Sequence, residues 1–242
     1  VNGDDVARYG SLSAEEVAAL DAAATASGVS VMQLMEIAGW QVARCAWRML
    51  HHAPGRVGVV AGRGNNGGDG LVAARHLVAW GCSVRAVVIA ASESELREIV
   101  ATHLASAQSS GVHASFAGDA PSVRDALRGC ALVLDALLGT GLHGAPRQAD
   151  AAAITAMEHT HLLAVDVPSG LDATTGEAHQ PAVRAAATCT LTAMKRGLWT
   201  ATGRAHAGVI TVADIGMPVA AWRHAGLAAP HAVRGGELLE LG

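Results

Sequence analysis

The chain has 242 residues, 51% of them hydrophobic and 16% charged, with a formal net charge of -4. That balance excludes a disordered chain. The lack of a basic run, with only 3% aromatic residues, argues against nucleic acid as the main partner. No apolar stretch reaches membrane-spanning length, so no membrane partner is expected.

The length suits one domain, placed at residues 11–218. Residues 1–10 are polar and acidic, unlike a signal peptide, and read as a short arm or an expression remnant. Cys45, Cys82, Cys130 and Cys189 are scattered without a CxxC pair. They read as buried reduced thiols, which makes the cytoplasm the expected location.

In chain order, Ser13 with Glu16 is a capping-box pattern that opens a helix to about Ser27, closed by Gly28. Ser30 with Gln33 repeats it, and Val31, Leu34, Met35, Ala38, Val42, Cys45, Ala46 and Met49 follow at helical spacing. Glu36, His51 and His52 are expected in water. A β-rich run, Arg56 to Ala61, comes next, then a helix from Leu71 to Trp80 and a strand from Ser83 to Ala90. Glu93 to about Ser109 reads as helix and Val112 to Ala117 as a weaker strand. Ser122 to Arg128 is a short helix behind Pro121. Further strands are read at Ala131 to Ala136, His161 to Val165, Ala187 to Ala193 and Val209 to Val212, with a helix from Gln148 to Glu158. Strands alternating with helices predict an α/β fold, a mostly parallel sheet covered on both faces. From Val219 to Gly242 the pattern is weak, and the segment reads as a docking tail or a link to a further domain.

Three predicted strand ends carry unusual loops, and ligands of such sheets bind beyond the carboxyl ends of the strands. The first is Gly62-Arg63-Gly64-Asn65-Asn66-Gly67-Gly68-Asp69-Gly70. Its glycines would allow positive φ and close approach to a ligand, and the helix start beyond them suits a phosphate. The GxGxxG match inside it is weak, and the acid that a dinucleotide dehydrogenase wants about 20 residues later is missing. Asp69 would cap the helix or accept a bond from a ligand. The second loop runs from Asp135 through Gly139-Thr140-Gly141-Leu142-His143-Gly144. The third is Val165-Asp166-Val167-Pro168-Ser169-Gly170-Leu171-Asp172. A carboxylate directly after an apolar strand is costly without a partner, which marks Asp135 and Asp166. Lys195 either reaches the same edge or lies on the surface.

These motifs, with Leu34-Met35-Glu36, Ala38-Gly39, Thr175-Gly176, Gly197-Leu198, Asp214-Ile215-Gly216 and Pro218, resemble the YjeF N-terminal domain family of NAD(P)H-hydrate epimerases, from about Ser11 to Pro218. The resemblance implies a Rossmann-like three-layer αβα sandwich with two N-terminal helices. It implies a dimer that interconverts the R and S forms of hydrated NADH and NADPH, which carry a hydroxyl at C6 of the nicotinamide ring. It carries substrate contacts onto Asn65, Asn66, Gly67, Gly68 and Asp69, onto Gly139, Thr140, Gly141, Leu142, His143, Gly144 and Ala145, and onto Asp166. It carries potassium ligands onto Asn66, Asp135 and Ser169. Asp166 is the first choice for the acid–base group and Asp69 the second. Many relatives add a dehydratase domain, and residues 1–242 alone are expected to have no dehydratase activity. The rival reading is a nucleotide-binding or protein-interaction module without turnover. A phosphotransferase lacks the GxxxxGK[ST] loop.

Overall fold

A computed structural model describes residues 3–230 and 238–241. The helices are α1 (Gly3–Tyr9), α2 (Ala14–Ala26), α3 (Val31–Met49), α4 (Asn65–Ala79), α5 (Glu98–Ser109), α6 (Ala120–Leu127), α7 (Gln148–Met157), α8 (Ala201–Ala207) and α9 (Val219–His224). The strands are β1 (Arg56–Ala61), β2 (Ser83–Ile89), β3 (His113–Ala117), β4 (Leu132–Ala136), β5 (Leu162–Val165), β6 (Ala187–Leu191), β7 (Val209–Ala213) and β8 (Leu238–Leu241). They form one sheet in the order β3-β2-β1-β4-β5-β6-β7-β8. All pairs are parallel except β7 with β8.

The strands read as unbroken apolar runs because both faces of the sheet are covered. Along β1, Val57, Val59 and Ala61 join the core under α3, α4 and α5, whereas Val60 joins the core under α6 and α7. In β4, Leu132 and Leu134 face the first core and Val133 the second. This alternation gives the three-layer α/β sandwich. After β1 the chain moves outward to β2 and β3, then returns to place β4 on the other side of β1. The order reverses between β1 and β4, so their carboxyl ends flank the natural ligand crevice.

Both capping boxes are present at the starts of α2 and α3. Two helix readings are corrected. Helix α4 starts at Asn65, six residues before Leu71, so most of the glycine-rich run, from Asn65 to Gly70, is helix rather than loop. None of its glycines has positive φ. They are needed for close approach: a Cβ on Gly67 would lie 2.0 Å from the Gly62 carbonyl oxygen, and one on Gly70 would lie 2.3 Å from Ala136 Cβ. Tertiary packing here overrides the roughly 1 kcal/mol that each helical glycine costs. The helix expected from Glu93 to Ser109 is a 3-10 turn at Glu93–Glu95 followed by α5.

The end of α1 is tied to the fold through Tyr9. Tyr9 is buried against the Trp199 ring, and Trp199 Nε1–H donates to the Gly10 carbonyl at 3.0 Å. Finally, the weakly patterned tail contributes α9, with Trp222 buried, and the antiparallel strand β8. Residues 1–2, 231–237 and 242 of the expected arm and tail lie outside the described residues. Among the described residues no helix is long and apolar enough to cross a membrane. Cys45, Cys82 and Cys189 are buried free thiols, while Cys130 is only half-buried.

Candidate active site

A cavity of about 540 Å³ opens over the carboxyl ends of β1, β4, β5 and β6. It is lined by Asn65, Asn66 and Asp69 of α4, by Gly139, Thr140, Gly141, Leu142, His143 and Ala145 after β4, and by Asp166 after β5. Gly67, Gly68 and Gly144 do not line it. Gly67 packs on Gly62, and a Cβ on Gly68 would stand 2.4 Å from Met35 Sδ, so these two glycines serve the helix seat. Asp135 and Ser169 lie behind the cavity wall, fully buried.

Asp166 sits at a strained backbone position. Its φ is 68°, and the next amide, Val167 N–H, donates back to the Val165 carbonyl at 2.8 Å, closing a tight γ-type turn. Thr192 after β6 does the same: φ is 68°, and Ala193 N–H donates to Leu191 at 2.7 Å. Positive φ is rare for a β-branched residue. Two such turns on adjacent strands, both lining the cavity, mark the place where the fold holds strain at a site.

The turns bring Asp166 against Lys195, which is 1% exposed. Of the two readings left open for Lys195, the buried one holds. Lys195 Nζ donates to Asp166 Oδ1 and, at 2.6 Å, to the Leu191 carbonyl. Leu191 N–H donates to the same Oδ1 at 3.1 Å. Among the described residues every hydrogen bond to the Asp166 carboxylate goes to Oδ1, which leaves Oδ2 for a ligand. Backbone bonds from the N-terminal segment fix the lysine: Met194 N–H donates to Tyr9 O at 2.9 Å, Leu12 N–H to Met194 O at 2.9 Å and Arg196 N–H to Leu12 O at 2.7 Å.

Asp69 is also corrected. It lies in the second turn of α4 and is not its cap, which is Gly64. It is buried, and burial first, then the charges of Asp166 and Asp21, hold its pKa well above the usual carboxylate range against the pull of Lys195. Its carboxyl group therefore holds a proton more readily than an ordinary aspartate does. Asp21 of α2 completes the group. Its pKa is pushed up to about 6 by burial, with Lys195 opposing and Asp166 adding to the rise. Sequence reading missed Asp21. Its position amid apolar neighbours in a helix was the available signal, and only packing shows what it faces.

Behind the wall, Ser169 Oγ–H donates to Asp135 Oδ1 at 2.6 Å and Ser169 N–H to Oδ2 at 2.8 Å. Burial pushes the Asp135 pKa up to about 6, against these bonds and one from Leu137 N–H. Asn66 Nδ2–H donates to the Leu138 carbonyl at 3.0 Å, and Leu138 N–H donates to Ser169 Oγ at 2.9 Å. Asn66, Asp135 and Ser169 thus gather around Leu138. Asn66 Oδ1 is buried without a hydrogen-bond partner. Native proteins rarely leave such an atom orphaned. An all-oxygen set with one free acceptor fits a hard cation.

The outer rim is basic. Arg97 Nη1–H donates to Asn65 Oδ1 at 2.7 Å, and Arg63 lies 3.5 Å from Asp150 Oδ2 and 3.7 Å from Glu95 Oε2. With Arg147 these line the cavity mouth near the start of α4. Free helix N–H groups and guanidinium groups together suit a phosphate. The sequence reading passed over these arginines.

Residues 31–197 match the family model described as YjeF-related protein N-terminus. The chain is 38% identical over 197 residues to an NAD(P)H-hydrate epimerase of Pirellula staleyi, covering 79% of this chain and 85% of that protein. It is 41% identical over 196 residues to a bifunctional NAD(P)H-hydrate repair enzyme Nnr of Pyrobaculum aerophilum, covering 79% of this chain but 38% of the relative. The chain thus spans about two fifths of the length of such bifunctional relatives. The crystal structure of yeast ynu0, YNL200c, superposes with a TM-score of 0.80 at 25% identity, covering 96% of this chain and 99% of that one. The fold, the strand-end carboxylates and this match over most of the sequence lead to one assignment: the chain belongs to the YjeF-related N-terminal family.

Proposed function

We propose that the chain is an epimerase that interconverts the R and S forms of hydrated NADH and NADPH. The observation that carries this reading is the pairing, in one cavity, of two carboxyl groups in unlike settings. Asp166 is held by Lys195 with Oδ2 left over, and Asp69 is buried beside it with a raised pKa. Two neighbouring carboxyls in unlike settings can divide the work of acid and base. Asp69 gives a proton at the C6 oxygen and Asp166 accepts one. Asn65, Asn66 and the Gly139–Ala145 loop position the nucleotide, with the basic rim toward its phosphates. The relatives' names include the same substrate class.

Potassium is the cation read for Asn66, Asp135 and Ser169. The orphaned Asn66 Oδ1 supports it. When bound, the ion would be held by Asn66, Asp135 and Ser169 and would supply positive charge to offset the buried Asp135 carboxylate. A homodimer is read from α3, where Met32, Ile37 and Trp40 are 38–40% exposed on one helix. The expected co-worker is an NAD(P)H-hydrate dehydratase, as the bifunctional relatives are repair enzymes twice the length of this chain or more. The cytoplasm is the expected setting.

The test is the rate of epimer exchange in hydrated NADPH, followed by NMR or chromatography with and without the protein. Asp166→Asn is expected to slow catalysed exchange by about 10²–10⁴-fold, the usual worth of general acid–base help, with little change in the dissociation constant. Exchange no faster than in buffer with the wild-type chain would overturn the epimerase in favour of a binding module.

A further inference from the structure

The cavity holds two separate groups of charge. At the rim, Arg63, Arg97 and Arg147 surround Asp150 and Asn65. Deeper, Asp21, Asp69 and Asp166 share the wall with one cation, Lys195. Among the described residues no ion pair links the two groups, and neither Asp21 nor Asp69 makes one. Lys195 and Asp166 cancel each other. Burial, with the charge of Asp166 adding to it, raises the proton affinity of both Asp69 and Asp21, that of Asp21 to a pKa of about 6. Three carboxyl groups thus share a single ammonium group on this wall, so acidic groups outnumber cations there.

Inverting the hydroxyl-bearing carbon beside the ring nitrogen has two routes. In one, the C6–O bond breaks with its electron pair on oxygen, and the ring-nitrogen lone pair forms a C=N bond, giving a ring cation. In the other, the bond from nitrogen to C6 breaks and the hydroxyl becomes an aldehyde, with no cation formed. A fixed anion lowers the barrier only where positive charge develops. Placing Asp21 and Asp69 beside the Asp166 charge raises the proton affinity of both, a cost that only the first route turns to use.

We infer, resting on the epimerase reading, that epimerisation proceeds by C6–O cleavage through a ring cation, and that Asp21 is the residue that stabilises this cation. Asp69 protonates the departing oxygen, which leaves as water. A water molecule adds to the opposite face and gives its proton to Asp166, which hands it to Asp69. The sum is inversion alone, with one oxygen exchanged with solvent.

The experiment follows epimer ratio by NMR and oxygen content by mass spectrometry in ¹⁸O-labelled water, with the buffer rate subtracted. Label is expected in at least half of the crossings. Incorporation in fewer than half, or an oxime collected when hydroxylamine is added, would overturn the inference while leaving the epimerase intact. Absence of catalysed exchange would instead remove the epimerase reading on which it stands. Asp21→Asn keeps the side-chain shape and is expected to lower kcat about 10²-fold with KM within about twofold. It should also abolish the acid limb of kcat near pH 6. An unchanged kcat in a folded Asp21→Asn would overturn the role given to Asp21.

Discussion

Replacing Lys195 by Met keeps the length of the side chain and removes its charge. Lys195 is 1% exposed and is the cation of the Asp166 ion pair, with Asp21 and Asp69 close enough to feel it. Removing one partner of a buried pair costs about 3–5 kcal/mol, because the other charge stays buried alone. For a chain of this length each kcal/mol moves Tm by roughly 2–4 °C, so the loss at pH 7 is about 6–20 °C.

The pH dependence has a defined sign. Lys195 lowers the proton affinity of Asp21 and Asp69, so its loss raises both further above their unfolded values. A carboxylate with a raised folded pKa is no burden below its unfolded pKa near 3.8, and the burden grows as pH rises toward the folded value. The variant should therefore recover stability between pH 7 and pH 5, and Lys195→Met with Asp166→Asn should recover part of it at pH 7. Urea denaturation with m checked for constancy is the assay. A loss under 1 kcal/mol at pH 7, or equal losses at pH 5 and pH 7, would refute the reasoning.

In an ordinary helix Gly67→Ala would add about 1 kcal/mol of stability. Here the new Cβ meets the Gly62 carbonyl, and a loss of about 1–3 kcal/mol by denaturant titration is expected instead. Gly64→Ala, where nothing lies within 4 Å, is the control, for which only the smaller cost of a weaker N-cap, about 1 kcal/mol or less, is expected. Adding potassium should raise Tm with concentration, as ligand binding to the folded state requires, and Asn66→Ala should remove that response in a thermal scan. Light scattering is expected to report a dimer at micromolar concentration, reduced to monomer by Trp40→Glu with the circular dichroism unchanged.

Much of the fold was legible because its signals are local. The capping boxes at Ser13 and Ser30 and the bounds of β1 are carried by contiguous residues. Asp135 and Asp166 stood out for a local reason as well, since each interrupts an apolar strand end. The helical state of Asn65 to Gly70 was not legible. Composition favours a loop there, and the decision came from the Gly62 backbone, Met35 and Ala136, which leave no room for a Cβ. Strand β8 is four residues long and becomes a strand only by pairing with β7.

What the amino-acid sequence by itself determined is the alternation of strands and helices, the family, and which strand ends carry acids. Only the tertiary structure decided that Lys195 is buried, that Asp21 from 48 residues before Asp69 faces it, and that residues 9–12 hold the lysine in place. The physical reason is that periodicity and capping depend on neighbours along the chain. The burial and proton affinity of a charged side chain depend instead on which distant charges the sheet brings against it.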